Sequence, residues 1–136
     1  MEKIKALIKR HEGLNLKPYL CTSGKLTIGY GRNLTDNGIT ETEAEDMLSY
    51  DIAEAMHDID AIFGKLSKDF GENRYTALID MLYNLGFSRF MGFRKMIAAI
   101  KDGDWDDAAN QAMNSRWSMQ VGQRALDVEK LLRKGD

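Results

Sequence analysis

The spacing of apolar positions divides the chain into an opening helix, a short β-rich stretch and a long helical remainder. Ile4, Leu7, Ile8 and His11 recur at helical intervals, which predicts an amphipathic helix over residues 1–11, and Gly13 follows as a stop. The pattern then shifts to Tyr19-Leu20-Cys21-Thr22, a Ser23-Gly24 turn, and Leu26-Thr27-Ile28-Gly29-Tyr30, the make-up of a small hairpin. Pro18 stands near the start of the first run, where an edge strand tolerates it. Asp36-Asn37-Gly38 is a second turn signal. Thr40 with Glu43 forms a capping box, and behind it Ala44, Met47, Leu48, Ile52, Ala55, Met56, Ile59 and Phe63 carry an apolar stripe down to Gly64. A helix of roughly 23 residues would be about 35 Å long, enough to join two lobes. Further helices are expected over about 73–85, 93–101, 104–113 and 123–133, punctuated by Gly71, Gly86, Gly92, Gly103 and Gly122.

At 136 residues with 43% hydrophobic positions, the chain is expected to form a single domain. Nineteen basic against 21 acidic residues give a net charge of −2, so the footprint of a general nucleic-acid binder is missing and no nucleic-acid partner is expected. Charge is unevenly shared: residues 1–32 carry +5, residues 33–72 carry −9 and residues 73–136 carry +2. The acidic block includes Glu41, Glu43, Glu45 and Asp46, which favour the dipole of the long helix at its start. The single cysteine, Cys21, excludes an intramolecular disulfide and fits a reducing compartment. Two histidines far apart form no ligand cluster, so neither a metal nor another cofactor is expected. The N-terminal segment lacks the apolar run of a secretory signal, and no stretch approaches the ~20 residues of a membrane span, so membrane insertion is not expected. Chemistry would then rest on carboxylates, hydroxyls or the one thiol.

Glu12 closes the first helix and faces whatever the hairpin presents, while Cys21 and Thr27 lie on opposite arms about the Ser23-Gly24 turn. Taken singly, each has a plainer reading: a surface charge, a small buried hydrophobe and a good β-former. Spacing alone does not choose between these and a shared site.

The stretch Glu12-Gly13-Leu14-Asn15-Leu16-Lys17-Pro18-Tyr19, with eight residues between Glu12 and Cys21 and five between Cys21 and Thr27, continues into Ile28-Gly29-Tyr30-Gly31. It resembles the active-site pattern of the phage-type muramidases, the lysozymes of T-even and lambdoid bacteriophages in glycoside hydrolase family 24. Asn37-Gly38-Ile39-Thr40, Tyr83-Asn84-Leu85-Gly86, Gly92-Phe93, Gly103-Asp104-Trp105, Ser115-Arg116-Trp117 and Gln123-Arg124-Ala125 extend the likeness in order along nearly the whole chain.

The resemblance implies a mainly helical, lysozyme-like α+β fold. Its N-terminal β-hairpin lobe, about 13–60, would be joined by the long helix to a larger helical lobe, about 61–136 together with helix 1–11. It implies an endolysin that hydrolyses the β-1,4 bond between N-acetylmuramic acid and N-acetylglucosamine of bacterial peptidoglycan. Glu12 would be the general acid, a role that needs a carboxyl kept protonated near working pH. Cys21, where many members have Asp, and Thr27 would position or activate water. A thiol is mostly neutral at pH 7, so Cys21 either ionises in a local positive field or stabilises the transition state less than a carboxylate does. Arg124 matches an arginine that pairs with the catalytic Glu, and Asn84 and Gln120 match polar saccharide-contacting positions. A monomer is expected, held in the host bacterial cytoplasm until released to the wall. The alternatives are a lytic transglycosylase using Glu12 alone, and a non-catalytic wall-binding protein of the same fold.

Two departures stand out. Arg32 replaces a histidine of the T-even enzyme, and the stretch from Arg32 to Thr40 is shorter, which implies a smaller upper lobe. Gly29-Tyr30-Gly31 is not a dinucleotide motif, because no helix follows directly. His57 is expected at the surface, and Met81, Met91, Met96, Met113, Met119, Trp105 and Trp117 are expected as packing residues.

Overall fold

Helix α1 spans Glu2–Glu12 and ends at Gly13, whose N–H donates to the Lys9 carbonyl at 3.0 Å. This is the start of a computed structural model that describes residues 1–136. After α1 come strands β1 (Asn15–Leu20), β2 (Leu26–Gly29) and β3 (Arg32–Asn33), which form one antiparallel sheet in the order β1-β2-β3. The hairpin register pairs Tyr19 with Thr27 and Leu20 with Leu26, with an irregularity between Asn15 and Tyr19. Pro18 lies inside β1, which is an edge strand and needs no donor there. Asp36-Asn37-Gly38 is not an isolated turn: it closes a one-turn helix, α2 (Leu34–Asn37), which Asn33 caps by accepting from the Asp36 N–H.

The capping box forms as expected. The Thr40 hydroxyl accepts from the Glu43 N–H at 3.1 Å, and the Glu43 carboxylate accepts from the Thr40 N–H at 2.9 Å. Helix α3 then runs from Glu41 to Phe63, 23 residues. Its apolar stripe is buried only in the second half, at Ala55, Ile59 and Phe63; Met47, Leu48, Ile52 and Met56 are exposed. No helix is long and apolar enough to cross a membrane.

The chain divides into two compact units, Met1–Met47 and Leu48–Asp136. In the second, a 3₁₀ turn (Gly64–Asp69) leads to α4 (Glu72–Leu85), α5 (Phe87–Met91), α6 (Arg94–Lys101), α7 (Trp105–Met113), α8 (Arg116–Val121) and α9 (Gln123–Lys134). The four longer helices fall where periodicity places them. The 3₁₀ turn, α5 and α8 are too short to show a period of their own. Helix α7 packs on α6 and α9, and α4 packs on α9. Their shared core centres on Ile59, Leu78, Met81, Phe90, Met96, Val128 and Leu132, each fully buried. Trp117 is buried with them and Trp105 is half-buried, whereas Met91 and Met119 point outward instead of packing. His57 is exposed.

The far end of the chain closes this unit. Both Asp136 carboxylate oxygens accept from the first turn of α4, from Glu72 N–H at 2.8 Å and Asn73 N–H at 2.7 Å, which holds the Asp136 carboxyl below its usual pKa. Arg74 donates to the Leu132 carbonyl at 2.8 Å and lies over the Trp105 ring at 4.7 Å.

Leu132 has no exposed surface, so Leu132→Ala is expected to lower unfolding free energy in urea by about 2–5 kcal/mol. Leu126→Ala on the same helix removes a half-exposed side chain and should stay within about 0.5 kcal/mol.

Candidate active site

Helix α1 delivers Glu12 to the turn between β2 and β3. One turn earlier on the same helix, the Lys9 ammonium lies 5.3 Å from the centre of the Tyr30 ring. The Glu12 carboxylate rests against Gly31: a Cβ at that position would stand 2.9 Å from Glu12 Oε2 and 3.3 Å from its carboxyl carbon. Gly31 also has φ +86°, a conformation that side-chain-bearing residues avoid. The backbone bend therefore favours glycine, and a Cβ there would make the flexible Glu12 carboxylate shift. The turn also lines an open groove of about 730 Å³ within the first unit, bounded by Ile28, Tyr30, Arg32, Glu43 and Met47.

The hairpin brings Cys21 and Thr27 together. Thr27 pairs with Tyr19 across the sheet, and Cys21 follows the last residue of β1, its N–H donating to the Lys25 carbonyl at 2.9 Å. Thr27 is the buried residue of the first unit, and its hydroxyl donates to that same carbonyl at 2.9 Å. The half-buried Cys21 thiol shares a hydrogen bond with the Ser23 hydroxyl at 3.1 Å. Its pKa is pulled down to about 7, chiefly by the Ser23 hydroxyl, then by the backbone at Lys25 and Ser23, with a small contribution from Thr27, against the opposing effect of desolvation. The ionising influence is thus a set of hydrogen bonds and not the positive field of the basic N-terminal segment. Ser23, which the local sequence marks only as a turn residue, is the side chain that most acidifies the Cys21 thiol.

Arg32, the residue in place of histidine, donates to Glu43 at 2.6 Å. The pair and the capping bonds at Thr40 push the Glu43 carboxyl down to about 2. Lys25 pairs with Asp36 at 3.1 Å, and the Leu26 N–H donates to the Thr35 hydroxyl at 2.7 Å, so α2 is tied to β2.

The other three candidates lie on the helical unit. Arg124 forms a two-pronged pair with Asp80 at 3.0 and 2.9 Å. Its fork geometry is matched by that carboxylate across α4 and α9. Asn84 accepts from the Trp117 indole N–H at 2.8 Å, which leaves its amide N–H group to donate elsewhere. Gln120 is exposed on α8, on the wall of a cavity that Trp117 also lines.

A profile of the family described as phage lysozyme matches residues 9–134. The chain is 33% identical over 121 residues to the endolysin of Acyrthosiphon pisum secondary endosymbiont phage 1, covering 86% of this chain and 78% of that protein. It is 37% identical over 135 residues to the endolysin of Bacillus phage PZA, covering 88% of this chain and 51% of that protein. It is 24% identical over 163 residues to a Dictyostelium discoideum protein named "Probable T4-type lysozyme 2", covering 99% and 96% of the two chains.

The origin of the thiol's acidity is open to direct measurement. Titration of thiolate absorbance is expected to give a midpoint near 7 in the native protein, with the charged form gaining as pH rises. In Ser23→Ala the midpoint should move up towards the ordinary thiol value of about 8.5, because the largest stabiliser of the thiolate is gone. An unchanged midpoint would assign the effect to something other than this hydroxyl.

Proposed function

The chain belongs to the phage lysozyme family and is a lysozyme-type hydrolase; from that premise we propose how its own residues cleave the wall polymer. The substrate is bacterial peptidoglycan, and the bond is the β-1,4 linkage between N-acetylmuramic acid and N-acetylglucosamine. Glu12 gives its proton to the glycosidic oxygen as the bond from the anomeric carbon to that oxygen breaks. Water adds to the anomeric carbon, and its proton passes to the Cys21 thiolate, with the Thr27 hydroxyl orienting the water. This division of labour follows the two-group scheme of glycosidases, in which an acid and a base flank the bond with room for water.

The observation that carries the reading is the seating of Glu12 on Gly31, beside a hairpin whose only cysteine titrates near neutrality. A thiol with a pKa of about 7 is half ionised at neutral pH, which suits proton transfer better than an unperturbed thiol does. On the helical unit, the wall saccharide is assigned to Asn84, Gln120 and Arg124. The free amide hydrogens of Asn84 and Gln120 suit the N-acetyl and hydroxyl groups of sugars.

The deciding experiment compares wild type and Glu12→Gln on purified peptidoglycan, following turbidity and the mass of released fragments. Wild type should clear the suspension and release fragments that have gained water. Glu12→Gln should lose activity by roughly 10²-fold or more, as expected for removal of a general acid. Anhydro products would instead identify a transglycosylase, and equal clearing by both proteins would remove Glu12 from the chemistry.

Gly31→Ala gives a second test through geometry alone. The positive φ should cost roughly 1–2 kcal/mol of stability, read by urea unfolding. Activity should fall further than that loss explains, by up to roughly 10²-fold, because the added methyl displaces the acid.

A further inference from the structure

Helix α1 meets the turn between β2 and β3 at two neighbouring points, and the hydrolytic scheme uses only one of them. Glu12 lies against Gly31, and Lys9, three residues earlier, holds its ammonium 5.3 Å from the centre of the Tyr30 ring. Positions three apart share one face of a helix. One face of the last turn of α1 therefore engages two consecutive residues of the sheet turn. Apolar burial adds nothing to this seat: no residue of α1 is buried, and Ile4, Leu7 and Ile8 of its apolar stripe are all exposed.

Lys9 takes the ring and not the carboxylate on its own helix face. A lysine and a glutamate three apart are placed to pair with each other, yet neither Lys9 nor Glu12 joins any of the ion pairs of the chain. The ammonium lies instead over the face of an aromatic ring, where the ring quadrupole attracts a cation. A cation paired with a general acid favours its charged form, which has no proton to give. Contact with Tyr30 lets Lys9 place the acid without that cost. Two contacts also define an orientation that one does not: held at Gly31 alone, α1 could roll, and a small roll would carry the Glu12 side chain off the turn.

We propose that Lys9 is a positioning residue for hydrolysis: its cation on the Tyr30 ring fixes the seat of α1 on the β2–β3 turn, and so the place from which Glu12 reaches the glycosidic oxygen. Its effect on rate rests on the reading of Glu12 as the acid, whereas the seat can be observed without turnover. Tyr30 is 40% exposed, so the contact is a solvated one. It shifts the population of the seated helix by a few-fold and not by orders of magnitude.

The test follows the seat by nuclear magnetic resonance and the rate on soluble peptidoglycan fragments, both in the full chain. A Cβ at Gly31 would stand 3.6 Å from Glu12 Cγ, so wild type should show a nuclear Overhauser contact between the Glu12 γ protons and a Gly31 α proton. Lys9→Gln and Tyr30→Leu should each weaken that contact and lower kcat about two- to fivefold with KM unchanged. The two losses should not add in the double variant, since either change removes the same interaction. Lys9→Arg and Tyr30→Phe retain a cation and a ring face, and should keep both the Overhauser contact and kcat. Both side chains are exposed, so none of these exchanges disturbs a core. Wild-type kcat or an unweakened Overhauser contact in Lys9→Gln, additive losses in the double variant, or an equal loss in Lys9→Arg would overturn the proposal. If wild type and Glu12→Gln turn over alike, the acid assignment falls instead, and the dependence of the Overhauser contact on Lys9 still decides whether the seat exists.

Discussion

The contact around which the first unit is arranged, and on which the proposed chemistry depends, is the approach of one carboxylate to one glycine. Glu12 lies where a Cβ at position 31 would stand too close to its carboxylate, and the backbone there turns through positive φ. Lys9, a turn earlier on α1, lies over the Tyr30 ring of the same turn. Acid, turn and hairpin thereby become one assembly within the first 47 residues. A residue with a Cβ at position 31 would displace the Glu12 carboxylate, and in the proposed scheme a displacement of about 1 Å is enough to disable a general acid.

The two units are stabilised by different physics. The helical unit buries a continuous apolar core, with Leu78, Met81, Phe90 and Leu132 wholly removed from water. In the first unit no hydrophobic side chain reaches full burial, and Thr27 is its one buried residue. Its order comes instead from directional contacts: Arg32 with Glu43, Lys25 with Asp36, Leu26 with Thr35 and the bonds around Cys21. Exposed ion pairs contribute little each, so this unit belongs to the low-stability end of the molecule. In the proposed scheme the polar side chains that meet the saccharide stand on this scaffold, which can adjust at small cost. A packed core would resist that adjustment.

Local rules carried much of the fold. The capping box at Thr40 and Glu43 and the 3.6-residue period placed α3 to within a residue, because both signals are contained in neighbouring side chains. The Ser23-Gly24 turn set the hairpin and hence the meeting of Cys21 with Thr27. What a sequence cannot show is which carboxylate answers a given arginine. The pairing of Arg124 with Asp80 spans 44 positions and depends on how α4 meets α9. The same holds for Asp136 on the first turn of α4, a contact across 64 positions. Exposure of half the α3 stripe was illegible for a related reason, since an amphipathic face shows where a partner would fit and not whether one is present. For the site, residue types and spacing left acid, thiol and hydroxyl with ordinary explanations, and the family resemblance gave them roles.

The residue at position 32 shows how a departure from a family pattern is absorbed. Where the T-even enzyme places histidine, this chain places an arginine that engages Glu43, the same carboxylate that closes the capping box of α3. One carboxylate thus receives both the guanidinium and the Thr40 N–H, and both hold it in the charged form, down to about pH 2. A histidine in that place would gain or lose charge within the range where the Cys21 thiol titrates, whereas arginine does not. With a carboxylate as second group, the charge of the site would be constant above pH 5, and a titrating neighbour would be tolerable. In the proposed scheme a thiol of pKa about 7 does that work, and a permanently charged strut at position 32 leaves the thiol as the group whose ionisation sets the response near neutrality. In that scheme the exchange of Asp for Cys and that of His for Arg are electrostatically compatible: the first makes the second group sensitive to pH near 7, and the second keeps its support insensitive there.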